Sequence, residues 1–344
     1  NNSDEWLKID VIKRSEILNS IADAIEKDPH ELIFYLLNEA GKTIQNAIDE
    51  IREGIDFLRY YSQQAIRISK DKKLDGPTGE ENKICYSPKG RFLCISPWNF
   101  PVAILIGQIS AALACGNKVI AKPSELTSIL GYLVVKKFHE HGVPLSALEL
   151  VLGDGIYGEM LTKVSSLQGM AFTGSLQTAK KIQSNLIKNQ DQIIPLIAET
   201  GGINTMLVDS SALLEQVTDD VTRSAFDSAG QRCSALRVLC IQEEIYEDLF
   251  EMIKGSMIIQ KMGDTNDFNT DIGPIINKEA LQKLNIYIDE CEKRGFDIFQ
   301  ASKSPSEKHI PPTLISINKI SDIRDEQFGP ILHVLKYASS DTNI

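Results

Sequence analysis

Three stretches of the chain carry side chains suited to covalent chemistry on a carbonyl. Cys233 stands inside Phe226-Asp-Ser-Ala-Gly-Gln-Arg-Cys-Ser-Ala-Leu236. Gly230 lets the backbone approach a ligand closely and Arg232 brings positive charge near the thiol, and both favour a reactive thiolate over an inert one. A cysteine taken alone is more often a small buried hydrophobe. Two further stretches shift that reading: Ala198-Glu-Thr-Gly-Gly202 offers a carboxylate that could activate water, and Pro97-Trp-Asn-Phe-Pro101 an amide that could hold an oxyanion. A nucleophile, a general base and an oxyanion donor are the parts that addition to a carbonyl requires.

A second set of residues has the chemistry of nucleotide recognition. Gly153-Asp-Gly-Ile-Tyr-Gly158 matches G-x-G-x-x-G between a strand and a helix, but the acidic residue expected about 20 positions on is missing, and a plain tight turn explains it equally well. Phe172-Thr-Gly-Ser175 also joins a strand to a helix, where backbone N–H groups could meet a pyrophosphate. Ser175 as an ordinary N-cap is the competing reading. In Ala121-Lys-Pro-Ser-Glu125 the lysine could hold a ribose or phosphate. Glu125 would accept from a ribose hydroxyl and repel a 2′-phosphate, favouring NAD over NADP; a solvated turn is the alternative. Asp325-Glu-Gln-Phe-Gly-Pro330 reads by itself as a loop. His139 and His141, at i,i+2 on a helix, face apart and fit a helix C-terminus better than a metal.

These groups need a scaffold. Strands at 92–96, 118–121, 148–152, 169–172 and 193–197 alternate with helical patterns at 102–115, 126–141, 157–163 and 176–188, which implies a parallel sheet covered on both faces. Ligands of such sheets bind at the carboxyl ends of the strands. Asn99, Lys122, Gly155, Ser175 and Glu199 all follow a strand. Ahead of the sheet, residues 6–70 are helical, with Ile44, Ile48, Ile51, Ile55 and Leu58 forming one apolar stripe. Residues 70–82 read as a loop, and 84–96 as a hairpin around Ser87-Pro-Lys-Gly90. A new unit starts near Gly201, with strands at 204–208 and 236–242, helices at 212–228, 245–260 and 278–293, and apolar runs at 313–317 and 331–337.

Composition bounds the function. The chain has 344 residues with 42% hydrophobic and 24% charged, as in soluble globular proteins. A net charge of −11 argues against nucleic acid. The six cysteines (85, 94, 115, 233, 240, 291) form no CxxC pair, which speaks for a reducing compartment with neither a disulfide framework nor a metal site. The apolar stretch 100–121 is interrupted by Gln108, Ser110 and Asn117, so it reads as a buried helix and a strand and not as a membrane span. The start, Asn-Asn-Ser-Asp-Glu, lacks a basic n-region. A cytoplasmic protein is expected.

Taken in order, Pro97-Trp-Asn-Phe-Pro101, Lys122-Pro-Ser-Glu125, Phe172-Thr-Gly-Ser175, Glu199-Thr-Gly-Gly202, Gly230-Gln-Arg-Cys233 and Glu326-Gln-Phe-Gly-Pro330 resemble the aldehyde dehydrogenase superfamily. The runs Gly90–Pro101 and Ser224–Cys240 resemble, more narrowly, the dehydrogenase half of the bifunctional proline-utilisation A proteins. The resemblance implies an α/β fold with a Rossmann-type NAD-binding domain over 1–200 and an α/β catalytic domain over 201–344, C-terminally incomplete. It implies oxidation of L-glutamate γ-semialdehyde, which forms from 1-pyrroline-5-carboxylate, to glutamate with NAD in proline catabolism. Cys233 would be the nucleophile, Asn99 the oxyanion donor and Glu199 the base for deacylation. Ser96, Trp98, Lys122, Glu125, Gly155, Ser175, Glu326 and Phe328 would bind the cofactor, and Ser234 and Phe100 the substrate. A homodimer and a proline dehydrogenase half in the full-length protein are compatible with it. A generic aldehyde or succinate-semialdehyde dehydrogenase, or an inactive NAD-binding fragment, stand as alternatives.

Overall fold

The computed structural model describes residues 5–340. The chain divides into two packed units, one formed by the chain through Ala40 and again by Ala47–Thr200, the other by Gly41–Asn46 and the chain from Gly201 on.

The first unit opens with helices α1 (Glu5–Lys8), α2 (Val11–Lys27), α3 (His30–Asn38) and α4 (Ile44–Ile68). Asp10 caps α2 through the Ile12 N–H, and Pro29 opens α3. The stripe expected on α4 is apolar because it packs: Ile51, Ile55 and Leu58 are buried. Next comes a two-stranded ribbon, β1 (Lys72–Leu74) and β2 (Asn82–Ile84), paired antiparallel around a turn containing Gly76, Pro77 and Gly79. The hairpin therefore lies earlier than the composition of Ser87–Gly90 indicates. The strand after that segment, β3 (Arg91–Ile95), has a parallel neighbour on each side and no free edge for β2.

The sheet of this unit is parallel throughout: β3, then α5 (Ala103–Ala114), β4 (Lys118–Lys122), α6 (Ser128–Glu140), β5 (Leu148–Leu150), α7 (Gly155–Leu161), β6 (Gly169–Gly174), α8 (Leu176–Asn189) and β7 (Leu196–Thr200). Its spatial order is β5-β4-β3-β6-β7. The chain thus runs outward from β3 in one direction, returns, and runs outward in the other. The reversal falls between β3 and β6, where a crevice opens beyond the carboxyl ends.

The second unit holds β8 (Asn204–Val208), α9 (Leu214–Phe226), β9 (Leu236–Gln242), α10 (Tyr246–Ile259), α11 (Lys278–Lys293), β10 (Ile298–Gln300), β11 (Thr313–Ile317) and β12 (Ile331–Tyr337). The order is β10-β11-β12-β9-β8, with β10 antiparallel to β11 and the other pairs parallel. Phe226, Val238, Leu239, Ile253, Ile315 and Leu332 are among its core residues. No helix among the described residues is long and apolar enough to cross a membrane.

Candidate active site

In the first unit a cleft of about 610 Å³ opens where the strand order reverses. It gathers Ser96, Trp98, Lys122, Glu125, Gly155 and Ser175, with Lys122 at the carboxyl end of β4 and the others beyond the ends of strands. Lys122 closes β4 with its chain buried; Nζ donates to the Pro123 carbonyl at 3.2 Å and lies 3.8 Å from the Glu125 carboxylate. Burial holds its ammonium below the ordinary lysine range, against the opposing pull of Glu125 and Asp154. Gly158 packs alongside this chain, and a Cβ there would meet Lys122 Cε at an ordinary contact distance of 3.4 Å. Ser175 caps α8, its Oγ accepting from the Thr178 N–H at 3.2 Å, so the ordinary N-cap reading holds in this structure. Ser96 is 3% exposed, and its hydroxyl has no hydrogen-bond partner among the described residues. A buried hydroxyl without a partner, a desolvated ammonium and the N-terminus of a long helix suit a ligand carrying phosphate and sugar hydroxyls.

The Pro97–Pro101 segment leaves this cleft and runs into α5. Its exit is fixed by a carboxylate from α4: Glu50 is fully buried, and its Oε1 accepts from the N–H groups of Val102 at 2.8 Å and Ala103 at 3.2 Å. A negative charge over the first N–H groups of a helix satisfies orphan donors and complements the dipole. Asn99 is buried in this segment; Phe100 is partly exposed. Glu199 lies near the end of β7, exposed and opposite Thr173 in register.

In the second unit Cys233 and Ser234 are both exposed. The turn that carries them is pinned by its backbone: the Ala235 N–H donates to the Arg232 carbonyl at 3.2 Å, and Asn204 Nδ2 donates to the carbonyls of Cys233 at 2.8 Å and Ala235 at 2.9 Å. The charge expected from Arg232 is committed elsewhere, because its guanidinium pairs with Asp227 at 2.8 Å and donates to Ser228 Oγ at 3.0 Å. The guanidinium in electrostatic reach of Cys233 is that of Arg237. Arg237 stands on β9, 1% exposed, and donates to the carbonyls of Gly230, Gly329 and Arg232 and to Glu326. Glu326 lies over Gly201 so closely that a Cβ there would overlap its carboxylate. Burial pushes the Glu326 carboxyl up, against the pull of Arg237 and the Gly202 N–H. The ring of Phe328 lies 5.4 Å from the same guanidinium.

The whole chain, residues 1–344, matches the aldehyde dehydrogenase family. The chain belongs to that family. It is 43% identical over 349 residues to the bifunctional protein PutA of Escherichia coli, covering 98% of this chain and 26% of that protein, so it spans about a quarter of the length of this relative. It is 31% identical to the 1-pyrroline-5-carboxylate dehydrogenase of Oceanobacillus iheyensis over 98% of this chain and 67% of the relative. Betaine aldehyde dehydrogenase of Staphylococcus aureus, solved in complex with NAD+, superimposes with a TM-score of 0.92 at 26% identity, over 98% of this chain and 68% of that one.

For this aldehyde dehydrogenase chain, sequence reasoning missed Glu50 and Asn46, which lie outside every motif, and gave no role to Arg237, which lies inside the run Ser224–Cys240. Asn46 is buried, donating from Nδ2 to Asp227 Oδ1 at 2.6 Å and accepting on Oδ1 from Ser228 Oγ at 3.0 Å. Arg237 did leave a signal, a lone charge inside the apolar run Leu236–Ile241.

Proposed function

We propose that this chain oxidises L-glutamate γ-semialdehyde, the hydrolysis product of 1-pyrroline-5-carboxylate, to L-glutamate with NAD, as a step of proline catabolism. The observation that carries the reading is the cleft at the sheet's reversal point, where Trp98, Lys122, Glu125, Gly155 and Ser175 line the same pocket as Ser96, whose buried hydroxyl has no partner among the described residues. Similarity to a 1-pyrroline-5-carboxylate dehydrogenase supports the choice of aldehyde, and the NAD+ complex of betaine aldehyde dehydrogenase supports the choice of cofactor.

Residues 1–200, apart from Gly41–Asn46, then form the nucleotide-binding domain, and 201–344 together with that segment the catalytic one. Ser96, Lys122, Glu125 and Glu326 would hold the ribose and phosphate groups of NAD, Gly155 and Ser175 would serve its adenine and pyrophosphate side, and Trp98 and Phe328 would contribute aromatic surface to it. Bound NAD supplies a hydride acceptor. The Cys233 thiolate adds to the aldehyde carbon, and the Asn99 amide and the Cys233 N–H donate to the oxyanion of the thiohemiacetal. Departure of the hydride leaves a thioester on Cys233. Glu199 takes a proton from water, whose oxygen attacks the thioester; the acid leaves and the thiolate returns. Ser234 donates to the substrate carboxylate and Phe100 lines its path. Six unpaired thiols suit the reducing cytoplasm, and the reading extends to a homodimer and to a proline dehydrogenase half in a longer protein.

NADH absorbance with glutamate semialdehyde, succinate semialdehyde and acetaldehyde tests it. The expected order places glutamate semialdehyde first in kcat/KM, with Cys233→Ser inactive and Glu199→Gln giving one burst of NADH before stalling. NAD binding without NADH from any aldehyde would leave a nucleotide-binding protein and remove the enzymatic reading.

A further inference from the structure

Three consecutive residues ahead of Cys233 lie in the left-handed region: Ser228 at φ 54°, Ala229 at 53° and Gly230 at 65°. Glycine adopts that conformation freely, and Gly230 also has to be glycine, since a Cβ would fall 2.1 Å from the Gly329 carbonyl oxygen. Serine and alanine do not adopt it freely. Ser228 and Ala229 are the only non-glycine residues with positive φ among the described residues. Strain of this kind persists only where the surroundings over-determine it.

The surroundings here are a closed ring of side chains. Asp227 Oδ1 accepts from the Ser228 N–H at 2.9 Å and from Asn46 Nδ2 at 2.6 Å, while its other oxygen pairs with Arg232 at 2.8 Å. Ser228 Oγ donates to Asn46 Oδ1 at 3.0 Å and accepts from Arg232 Nε at 3.0 Å. Asn46 is the member that comes from a distant part of the chain. It sits in the first turn of α4, where its N–H is capped by Thr43 Oγ1 at 3.4 Å. Its amide matches both partners at once, donating to a carboxylate and accepting from a hydroxyl, which neither Asp nor Leu could do.

We propose that Asn46 is a positioning residue for Cys233: it clamps the left-handed turn Ser228–Gly230 and so sets where the thiol and its own N–H point. The proposal rests on Cys233 being the nucleophile. With the clamp in place the turn leaves Cys233 exposed on a fixed backbone. Without it, Ser228 and Ala229 relax toward negative φ, and the residues up to Arg232 swing with them.

The test compares iodoacetamide labelling of Cys233 with that of exposed Cys85 in the same full chain, read by mass spectrometry. Asn46→Ala is expected to change the Cys233:Cys85 rate ratio by about fivefold or more. Adding Ala229→Gly, which makes positive φ free without the clamp, is expected to return it to within about twofold. Should Asn46→Ala fold poorly, Asn46→Asp removes the same donor and sets two carboxylates face to face, with the same expected direction. An unchanged ratio, or a change that Ala229→Gly does not reverse, overturns the proposal. In turnover assays kcat should fall while NAD affinity holds, and a parallel loss of NAD affinity would mark general loosening and overturn it too. If the parent chain oxidises no aldehyde, the enzymatic reading fails, while the labelling ratio still decides the role of Asn46.

Discussion

Arg237 Nη2 donates to Glu326 Oε1 at 3.1 Å, and the same buried guanidinium satisfies the carbonyls of Gly230, Gly329 and Arg232. One side chain on β9 therefore ties the loop of the candidate nucleophile to the Glu-Gln-Phe-Gly-Pro turn. Burial draws its pKa below the ordinary arginine value, yet the partner carboxylate and three carbonyls keep the charge in place.

Arg237→Met should lower the unfolding free energy by about 3 kcal/mol or more, because it strands a half-buried carboxylate and three carbonyls. Arg237→Lys should recover only part of that, since a lysine cannot reproduce the planar fork. Urea midpoints of the two variants check both. A midpoint for Arg237→Met equal to the parent's would refute the structural weight placed on this residue.

His333 on β12 is 1% exposed, with Nδ1–H donating to the Arg237 carbonyl at 3.0 Å and Nε2 accepting from Tyr287 OH at 2.7 Å. Burial holds its imidazole down to about 4, from an ordinary 6.5. The unfolded chain therefore takes up a proton before the folded one does. Its contribution is present above pH 6.5 and is lost as pH falls from there toward 4, on the order of 3 kcal/mol in all. Stability measured between pH 7 and 4 should drop less steeply in His333→Gln. Parallel curves for parent and variant would count against this.

Iodoacetamide at neutral pH should modify Cys233 first of the six cysteines. Cys94, Cys115, Cys240 and Cys291 have thiols raised by burial, Cys94 to about 12, and the exposed Cys85 is raised by its hydrogen bond to Asp71. Earlier labelling at any other position, seen by peptide mass spectrometry, would remove Cys233 as the reactive thiol.

Glu125→Gln should narrow the gap between NAD and NADP affinity by about threefold, a modest figure because the carboxylate is half exposed and solvent screens it. Ser96→Ala should weaken both nucleotides by about two- to tenfold through one lost hydrogen bond. Calorimetric titration measures both. Equal affinity of the parent for NAD and NADP would rule out Glu125 as the discriminating group.

Glu50→Ala should cost about 2 kcal/mol, since two buried N–H groups at the start of α5 lose their acceptor. Glu50→Gln keeps an acceptor oxygen and should cost less. Hydrogen exchange at Val102 and Ala103 reads the effect locally, and unchanged protection in Glu50→Ala would mean the carboxylate does not hold that helix end.

The parallel sheet of the first unit was legible because its strands are buried apolar runs separated by helical patterns, and the nucleotide-type residues follow from where those runs stop. The ribbon β1–β2 was not. Lys72-Lys-Leu74 is exposed at all three positions and carries no alternation, whereas Ser87–Gly90 has turn composition without forming a hairpin. Those four residues lead into β3, and the N–H groups of Lys89 and Gly90 both donate to Asn117 Oδ1. Composition can mark a turn but not which strand has a free edge. Arg232 misled for a related reason: sequence adjacency put its charge beside Cys233, but Asp227, on the far side of the left-handed turn Ser228–Gly230, had already claimed it. Asn46 was out of reach of any local pattern, since its partner lies 181 positions away.

The short segment Gly41–Asn46 counts with the second unit although it is synthesised inside the first. Its partners Asp227, Ser228 and Pro274 are made much later. At about 5–20 residues per second, the 181 positions from Asn46 to Asp227 take about ten to forty seconds to translate. During that time the rest of the first unit can fold on the ribosome while these six residues wait. Cleavage after Thr200 would accordingly not yield two self-sufficient halves. The downstream fragment would lack a hexapeptide of its own structure, and recovery of its fold should need the upstream fragment added back in trans.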